Sequence, residues 1–324
     1  MIVVPGKNEA DFSSLTIESE DDLWYLYNII DNGDLVRSVV MRRVEQQSDM
    51  TRSKETSRKP ITVTITVEDT SFQDFSGMLK ILGKVIVGPE DAIGSHQSVN
   101  IEPGSTLDLM KGHWTPEQKK MLKEAEEQKL TSGTYFIACD EDEASLYQLR
   151  TYGIKPLGKV ESGRTGKYFE TKETAGDYYQ RVGEMVLRYV PKRSQLIVLG
   201  SPFTAEKMAR SLQSMNTQQL NIAFFNTNRT DEGAVYEFLR GEKGGEVLKN
   251  SRITRDASIV NEFLIHLKSD GKAAYGYGQV RKNIEMGAVD TLLITDKEFR
   301  TQRGRELLEL ASASSAAIHV VSAT

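Results

Sequence analysis

The chain has 324 residues, of which 39% are hydrophobic and 27% are charged, with a formal net charge of −5 at pH 7 and one cysteine, Cys139. A chain of this length is longer than one that ordinarily folds around a single hydrophobic core, which predicts two or three domains. The composition argues against a protein that coats nucleic acid in bulk and against a membrane-spanning protein, because no apolar run approaches ~20 residues. A single cysteine excludes an internal disulfide, so we expect a cytoplasmic protein.

The first segment, to about residue 129, is predicted to be mainly β-structure. Residues 61–68 alternate between aliphatic side chains and threonines, which indicates a strand with one buried face. Residues 35–44 are the predicted partner strand, and shorter β runs follow at 77–87 and 98–109. Many short strands separated by glycine and proline turns predict a small barrel.

An acidic run at residues 18–22 coincides with the predicted start of the first helix, where Ser19 caps the chain. Clustered carboxylates such as Glu20, Asp21 and Asp22 could hold Mg²⁺ or Mn²⁺ for phosphodiester cleavage. Acids in a first turn also favour the positive end of the helix dipole by about 0.3–1 kcal/mol each. Because neighbouring helical residues point in different directions, the helix-dipole interpretation is the stronger one.

A basic loop, residues 45–59, is predicted between two β runs. Its cations are spaced by Ser, Thr and Gln, and Met50 is its one large apolar residue. Such a loop cannot fold onto a core, yet its guanidinium groups suit phosphate oxygens. An RNA-binding loop and a solvated loop both remain open. The candidate RNA-binding residues in and beside it are Arg42, Arg43, Arg52, Lys54, Arg58 and Lys59.

A polar helix is predicted from Thr115 to about residue 129, because a threonine cap is followed by a proline at the first helical position. After it, short strands alternate with helices, which predicts an α/β layered domain. A second cationic stretch in this segment is read either as a solvated loop or as a further RNA contact. Its members are Lys155, Lys159, Arg164 and Lys167.

The last segment repeats the α/β rhythm. Helices are predicted around 231–240, 256–268, 277–287 and 300–312, and strands at 291–295 and 316–321. Gly287 can adopt the left-handed conformation that ends a helix, and the apolar run after it indicates a buried strand.

Familiar catalytic patterns are missing from the chain. The four histidines are far apart, with no spacing typical of a zinc site. Residues 163–167 (GRTGK) resemble a phosphate loop, but Glu161 stands at the first glycine position and Tyr168 replaces the magnesium-binding Ser or Thr. No G-x-S-x-G elbow is present. The residues alone therefore indicate no compact catalytic constellation.

Several segments, in order along the chain, resemble the Pelota family, relatives of the class I release factors. The similarity implies an N-terminal Sm-like small β-barrel (1–129), a central α/β domain of the release-factor type (130–226), and a C-terminal α/β layered domain of the release-factor and kink-turn-binding type (227–324). The segments are 22–28 (DLWYLYN), 33–34 (GD), 42–44 (RRV), 138–144 (ACDEDEA), 200–204 (GSPFT), 275–276 (YG) and 287–296 (GAVDTLLITD).

The resemblance implies a monomeric, membrane-free factor that recognises stalled ribosomes in the A site and promotes their dissociation and mRNA decay. A translational GTPase of the elongation-factor alpha type would be its partner, with Pro202, Phe203, Tyr275 and Gly276 as the GTPase-binding candidates. The basic loop would enter the decoding site.

The resemblance also implies an alternative activity, a divalent-metal-dependent endoribonuclease in the N-terminal domain. Glu20, Asp21 and Asp22 would be its catalytic candidates, with Mg²⁺ or Mn²⁺ as the cofactor. Peptidyl-tRNA hydrolysis is not expected, because the Gly-Gly-Gln tripeptide of release factors is missing and Gly244-Gly245 precedes Glu246.

Overall fold

The computed structural model describes residues 1–6, 12–45, 56–73, 76–127, 133–163, 175–215, 218–241, 243–244, 252–269 and 272–322. The chain divides into two compact units, Met1–Lys129 and Leu130–Thr324. The division into three domains stays a prediction. No helix in the described ranges is long and apolar enough to cross a membrane.

The first unit is built on a seven-stranded antiparallel sheet in the order β1-β2-β7-β3-β4-β5-β6. Within the described residues no ladder joins β1 to β6, so hydrogen bonds do not close this sheet into a barrel. The strands are β1 (Ile2–Val4), β2 (Ser13–Thr16), β3 (Leu35–Glu45), β4 (Thr56–Gln73), β5 (Met78–Val87), β6 (His96–Ile101) and β7 (Thr106–Met110).

The core of this unit lies between the sheet and helix α1 (Glu20–Ile29). Val63, Ile65 and Val67 of β4 are buried, as the alternating pattern predicts, and α1 adds Trp24 and Leu26. Helix α2 (Pro116–Glu127) packs against α1. Its start carries the expected threonine cap, since the Gln118 N–H donates to Thr115 Oγ1 at 3.2 Å.

The basic loop is shorter than predicted. Strands β3 and β4 stay paired as far as Glu45 opposite Thr56, so Arg58 and Lys59 lie in β4 and not in a loop. The alternation of hydrophobic residues marks only the buried part of a strand. An antiparallel pair of strands extends further, wherever their backbone N–H and C=O groups can hydrogen-bond to each other. The remaining loop residues, Arg52 and Lys54 among them, lie outside the described residues.

The second unit contains a five-stranded sheet in the order β10-β9-β8-β11-β12, in which β8, β11 and β12 are parallel. Helices Ala175–Tyr189 (α3) and Pro202–Ser214 (α4) cover one face with Val182, Met185 and Met208. Helix Glu232–Arg240 (α5) covers the other face with Val235 and Phe238. The elements are β8 (Thr134–Cys139), β9 (Glu143–Arg150), β10 (Gly153–Glu161), α3 (Ala175–Tyr189), β11 (Gln195–Gly200), α4 (Pro202–Ser214), β12 (Asn221–Asn226) and α5 (Glu232–Arg240).

The final part of this unit has two parallel strands and four helices in its described residues. Gly287 has φ 67° and ends the helix Tyr277–Glu285 (α7) in a Schellman motif. The Gly287 N–H donates to Ile284 O at 2.9 Å, and the Ala288 N–H donates to Asn283 O at 3.0 Å. The predicted helix stop and the strand after it are confirmed. The elements are α6 (Arg252–Ser269), α7 (Tyr277–Glu285), β13 (Thr291–Thr295), α8 (Asp296–Phe299), α9 (Gln302–Ala313) and β14 (Ala317–Val321).

Candidate functional site

The acidic run at the start of α1 is used largely in local structure. Asp22 is 2% exposed, and its Oδ2 accepts the backbone N–H groups of Glu18 at 2.8 Å and Ser19 at 3.1 Å. The same oxygen lies 3.0 Å from the amino group of Met1. Together with Ser19 this is a capping box. The helix-capping interpretation of Asp22 therefore accounts for its carboxylate.

Glu20 and Asp22 both have close neighbours within the protein. The Glu20 carboxyl packs so closely on Gly77 that a methyl group there would lie 2.9 Å from Glu20 Cδ. Asp22 Oδ2 is engaged with the Glu18 N–H and the Met1 amino group. Among the described residues no group of three or more His, Cys, Asp or Glu side chains is placed to hold a metal ion. The roles of Glu20, Asp21 and Asp22 in nuclease chemistry stay predictions.

The basic hairpin places cations opposite one another. The register of β3 and β4 sets Arg42 opposite Lys59 and Arg43 opposite Arg58. Arg42 is partly neutralised, because its guanidinium lies 3.3 Å from Asp91 Oδ2 and donates to Asp91 O at 3.0 Å. Lys59 is exposed and has no ion-pair partner in the described part of the chain.

The second cationic stretch lies on a strand and not on a loop. Lys155 and Lys159 belong to β10, which pairs with β9 and contains a bulge between Pro156 and Gly158. Lys159 Nζ is 2.5 Å from Glu143 Oε2, and this hydrogen bond raises the pKa of the Lys159 ammonium group. Arg164 and Lys167 lie outside the described residues.

The turn from β11 into α4 carries the first GTPase-binding candidates. A methyl group on Gly200 would lie 2.4 Å from Cys139 O, so the close approach of the two strand ends requires glycine. Pro202 opens α4, and Phe203 after it is 71% exposed. Lys207 Nζ lies 5.8 Å from the Phe203 ring centroid and 5.4 Å from that of Tyr179.

The second pair of candidates precedes α7. Gly276 has φ 82° and occupies the N-cap position, a left-handed conformation that favours glycine. Tyr275 beside it is 69% exposed. The hydroxyl of Tyr277, one residue into the helix, donates to Glu306 Oε2 at 2.6 Å and so ties α7 to α9. The structure thus holds Gly276 in place and leaves the Tyr275 ring in solvent.

Sequence reasoning did not identify Lys207 as a neighbour of Phe203, nor Tyr179 as a neighbour of Lys207. Lys207 follows Phe203 by one helical turn, a spacing that brings side chains together on a helix. That local signal could have identified the lysine. Tyr179 comes from α3, and no local pattern predicts that contact.

Comparison with known proteins decides the family. Residues 4–126 match the family model for the Pelota N-terminal domain, and residues 253–324 match the model for eRF1 domain 3. A pelota homolog protein from Thermoplasma acidophilum is 41% identical over 308 residues, which are 95% of this chain and 89% of that protein. The chain belongs to the Pelota family.

Further Pelota relatives support the assignment over the whole chain. The homolog from Picrophilus torridus is 35% identical over 301 residues, covering 93% of this chain and 87% of that protein. The crystal structure of the Thermoplasma acidophilum Pelota protein superposes with a TM-score of 0.79 at 32% identity, covering 100% of this chain and 93% of that chain. The predicted multidomain fold, combining a β domain with α/β domains, is confirmed.

Proposed function

We propose that this member of the Pelota family acts, as a monomer, on stalled ribosomes. It occupies the A site, inserts the end of the β3–β4 hairpin toward the decoding site, and promotes subunit separation and decay of the damaged mRNA. A translational GTPase of the elongation-factor alpha type is the proposed partner. The observation that carries the proposal is the like-charged register of this hairpin within a chain that matches the family from end to end.

Like charges directly opposite each other destabilise a sheet, and each such pair costs about 0.2–1 kcal/mol. The backbone register of the hairpin sets Arg42 opposite Lys59 and Arg43 opposite Arg58, and Asp91 neutralises only part of the Arg42 charge. Phosphate groups placed between such cations would relieve the repulsion and form charge-assisted hydrogen bonds. A nucleic acid is therefore the natural ligand of this end of the sheet.

The GTPase contact is supported by two aromatic rings that the chain does not use in its own core. Phe203 and Tyr275 are among the most exposed large apolar side chains of the described residues. Both stand at the start of a helix: Tyr275 directly precedes the N-cap Gly276, and Phe203 follows Pro202, three residues after Gly200. Aromatic residues of this kind are enriched at the centres of protein interfaces.

The test is subunit separation of ribosomes stalled on truncated mRNA, measured with and without the GTPase. We expect separation that depends on the GTPase for the unaltered protein and its loss after Phe203→Ala with Tyr275→Ala. Phe224→Ala is the matched control, because Phe224 is 42% exposed and belongs to neither candidate segment. Failure of the unaltered protein to separate subunits under either condition would refute the proposal.

The hairpin is tested by the salt dependence of ribosome binding. We expect replacement of Arg52, Lys54, Arg58 and Lys59 by glutamine to flatten the slope of log affinity against log salt concentration. The slope should change by about 0.7 for each phosphate of single-stranded RNA that is no longer neutralised. An unchanged slope would remove the hairpin from the proposal. The control replaces four exposed lysines of the first unit, Lys80, Lys84, Lys120 and Lys123.

The nuclease alternative is measured in the same reactions. RNA products are analysed with and without EDTA, for the unaltered protein and for Glu20→Ala, Asp21→Ala and Asp22→Ala together. Cleavage that disappears with EDTA and with the triple substitution would support that prediction. Because Asp22 caps α1, thermal unfolding of the variant must be recorded alongside.

A further inference from the structure

A cluster of exposed cations lies where α3 ends, apart from the β3–β4 hairpin. Residues 187–193 read Leu-Arg-Tyr-Val-Pro-Lys-Arg. Arg188, Lys192 and Arg193 are all exposed, and none of them forms an ion pair within the described ranges of the chain. Arg210, another exposed cation of the same unit, is by contrast paired with Glu206. The cluster therefore presents three uncompensated charges within six residues.

Helix stabilisation explains only part of this cluster. A cation in the last turn of a helix interacts favourably with its dipole, and Arg188 occupies that turn of α3. Lys192 and Arg193 follow the end of the helix, beyond Pro191. Arg193 also has φ 63°, a conformation that non-glycine residues rarely adopt. Local structure therefore gives no reason for two of the three charges.

The backbone of the cluster is fixed by Gln218. Its Nε2 donates to Leu187 O at 3.0 Å, and its backbone carbonyl accepts the N–H of Arg193 at 3.1 Å. One residue thus holds both ends of the turn. Arg188 and Arg193 are presented from a fixed backbone, which lowers the entropy lost when they bind a ligand.

An exposed aromatic ring extends the cluster onto the neighbouring strand. Tyr189 is 40% exposed, and the Arg188 guanidinium lies 5.4 Å from its ring centroid. A methyl group on Gly158 would lie 3.6 Å from Tyr189 Cε2, so the ring packs on β10. Lys159 of that strand lies opposite Ser145 and is paired with Glu143, so it adds no free charge to the cluster. The cations of residues 187–193 and the exposed Tyr189 ring thus lie side by side at the end of α3.

We propose that residues 187–193 bind the phosphate backbone of structured RNA on the ribosome. The inference rests on the proposed function and adds a second RNA contact, in the central part of the chain. Guanidinium groups fit phosphate bidentately, and aromatic and guanidinium planes stack on unpaired bases. Ribosomal RNA and a neighbouring tRNA share this chemistry, and the experiment separates them.

The first measurement is the salt dependence of binding to stalled ribosomes. Arg188→Gln, Lys192→Gln and Arg193→Gln together are expected to lower the slope of log affinity against log salt concentration by about two to three units. The control neutralises three exposed lysines that are likewise without ion pairs in the described chain: Lys268, Lys282 and Lys297. An equal slope for the triple variant and the control would overturn the inference.

The second measurement locates the RNA and needs one substitution only. Lys192→Cys is labelled with a tethered iron chelate that cleaves nearby RNA by hydroxyl radicals. The native thiol does not compete, because Cys139 is fully buried and burial raises its pKa to about 12. We expect cuts in ribosomal RNA, in tRNA, or in both from position 192, and a different cut pattern or none from Lys282→Cys.

The outcomes separate this inference from the proposed function. If the unaltered protein separates subunits but position 192 gives no RNA cuts, the surface does not face RNA. The inference is then wrong, and the proposed function still stands. If the triple variant loses GTPase binding and keeps its salt slope, the cluster faces an acidic protein surface and the inference is again wrong. If the unaltered protein does not engage ribosomes, both proposals fall.

Discussion

Replacement of Lys111 by methionine should strongly destabilise the first unit at neutral pH. The Lys111 side chain is fully buried, and its ammonium group donates to Ile29 O at 2.8 Å, Asp31 Oδ2 at 3.0 Å and Asp34 Oδ2 at 2.5 Å. These three bonds use all of its N–H groups. Methionine fills a similar volume but leaves the nearly buried Asp34 carboxylate without its cation. Loss of one partner of a buried ion pair costs about 3–5 kcal/mol.

The pH dependence of this loss has a definite sign. Burial raises the pKa of the Asp34 carboxyl, and the hydrogen bond and charge of Lys111 act to lower it. Without Lys111 the Asp34 pKa rises further. An acid with a raised pKa in the folded state contributes stability that is present below its unfolded pKa and is lost as pH rises through the folded pKa. The deficit of the variant should therefore shrink as the pH falls through the raised folded-state pKa of Asp34, and it should stop shrinking once the pH is below the unfolded value of about 4.

The assay is urea unfolding of the full chain followed by tryptophan fluorescence. Both tryptophans, Trp24 and Trp114, belong to the first unit, so the signal reports that unit. Adding Asp34→Asn to Lys111→Met should recover part of the loss, because the amide oxygen still accepts the Asp31 N–H. The control Lys80→Met, at an exposed strand position, should change stability by less than about 0.5 kcal/mol. A loss below about 1 kcal/mol at neutral pH, or an equal loss in acid, would refute this reasoning.

Three further predictions concern the second unit. Cys139 should not react with a thiol reagent at pH 8 in the folded protein and should react fully in denaturant, because burial raises its pKa to about 12. Gly200→Ala should lower the thermal midpoint, because the added methyl would meet the Cys139 carbonyl at 2.4 Å, whereas Gly278→Ala, with nothing within 4 Å, should leave it unchanged or raise it. Gly287→Ala should cost about 1 kcal/mol in thermal unfolding, since φ is 67° there, and equal stability would show that the helix stop relaxes.

Local signals explain what could be predicted from the sequence. The stop at Gly287 and the strand Thr291–Thr295 depend on neighbouring residues alone, and both are confirmed. The cap formed by Ser19 and Asp22 is likewise a pattern four residues long. The family resemblance singles out Phe203 and Tyr275, and the structure leaves both rings exposed.

Contacts between distant residues explain the failures. Strand β10 is not predicted from the sequence, because its glycines, proline and lysines are typical of a loop and its conformation is set by pairing with β9. Lys111 looks like any surface lysine, yet its acceptors lie 77 to 82 residues away in the sequence. The extension of β3 and β4 beyond their hydrophobic residues has the same cause, because it depends on backbone hydrogen bonds between the two strands.

The order of the five-stranded sheet has a consequence for self-association. Its two outer strands differ: β10 carries lysines, a proline and a bulge, features that hinder another chain from adding a strand. Strand β12 reads Asn-Ile-Ala-Phe-Phe-Asn, without charge, proline or glycine, and pairs only with β11 among the described residues. Under heat or crowding, aggregation should therefore begin at β12, and a lysine in place of Phe224 should delay it.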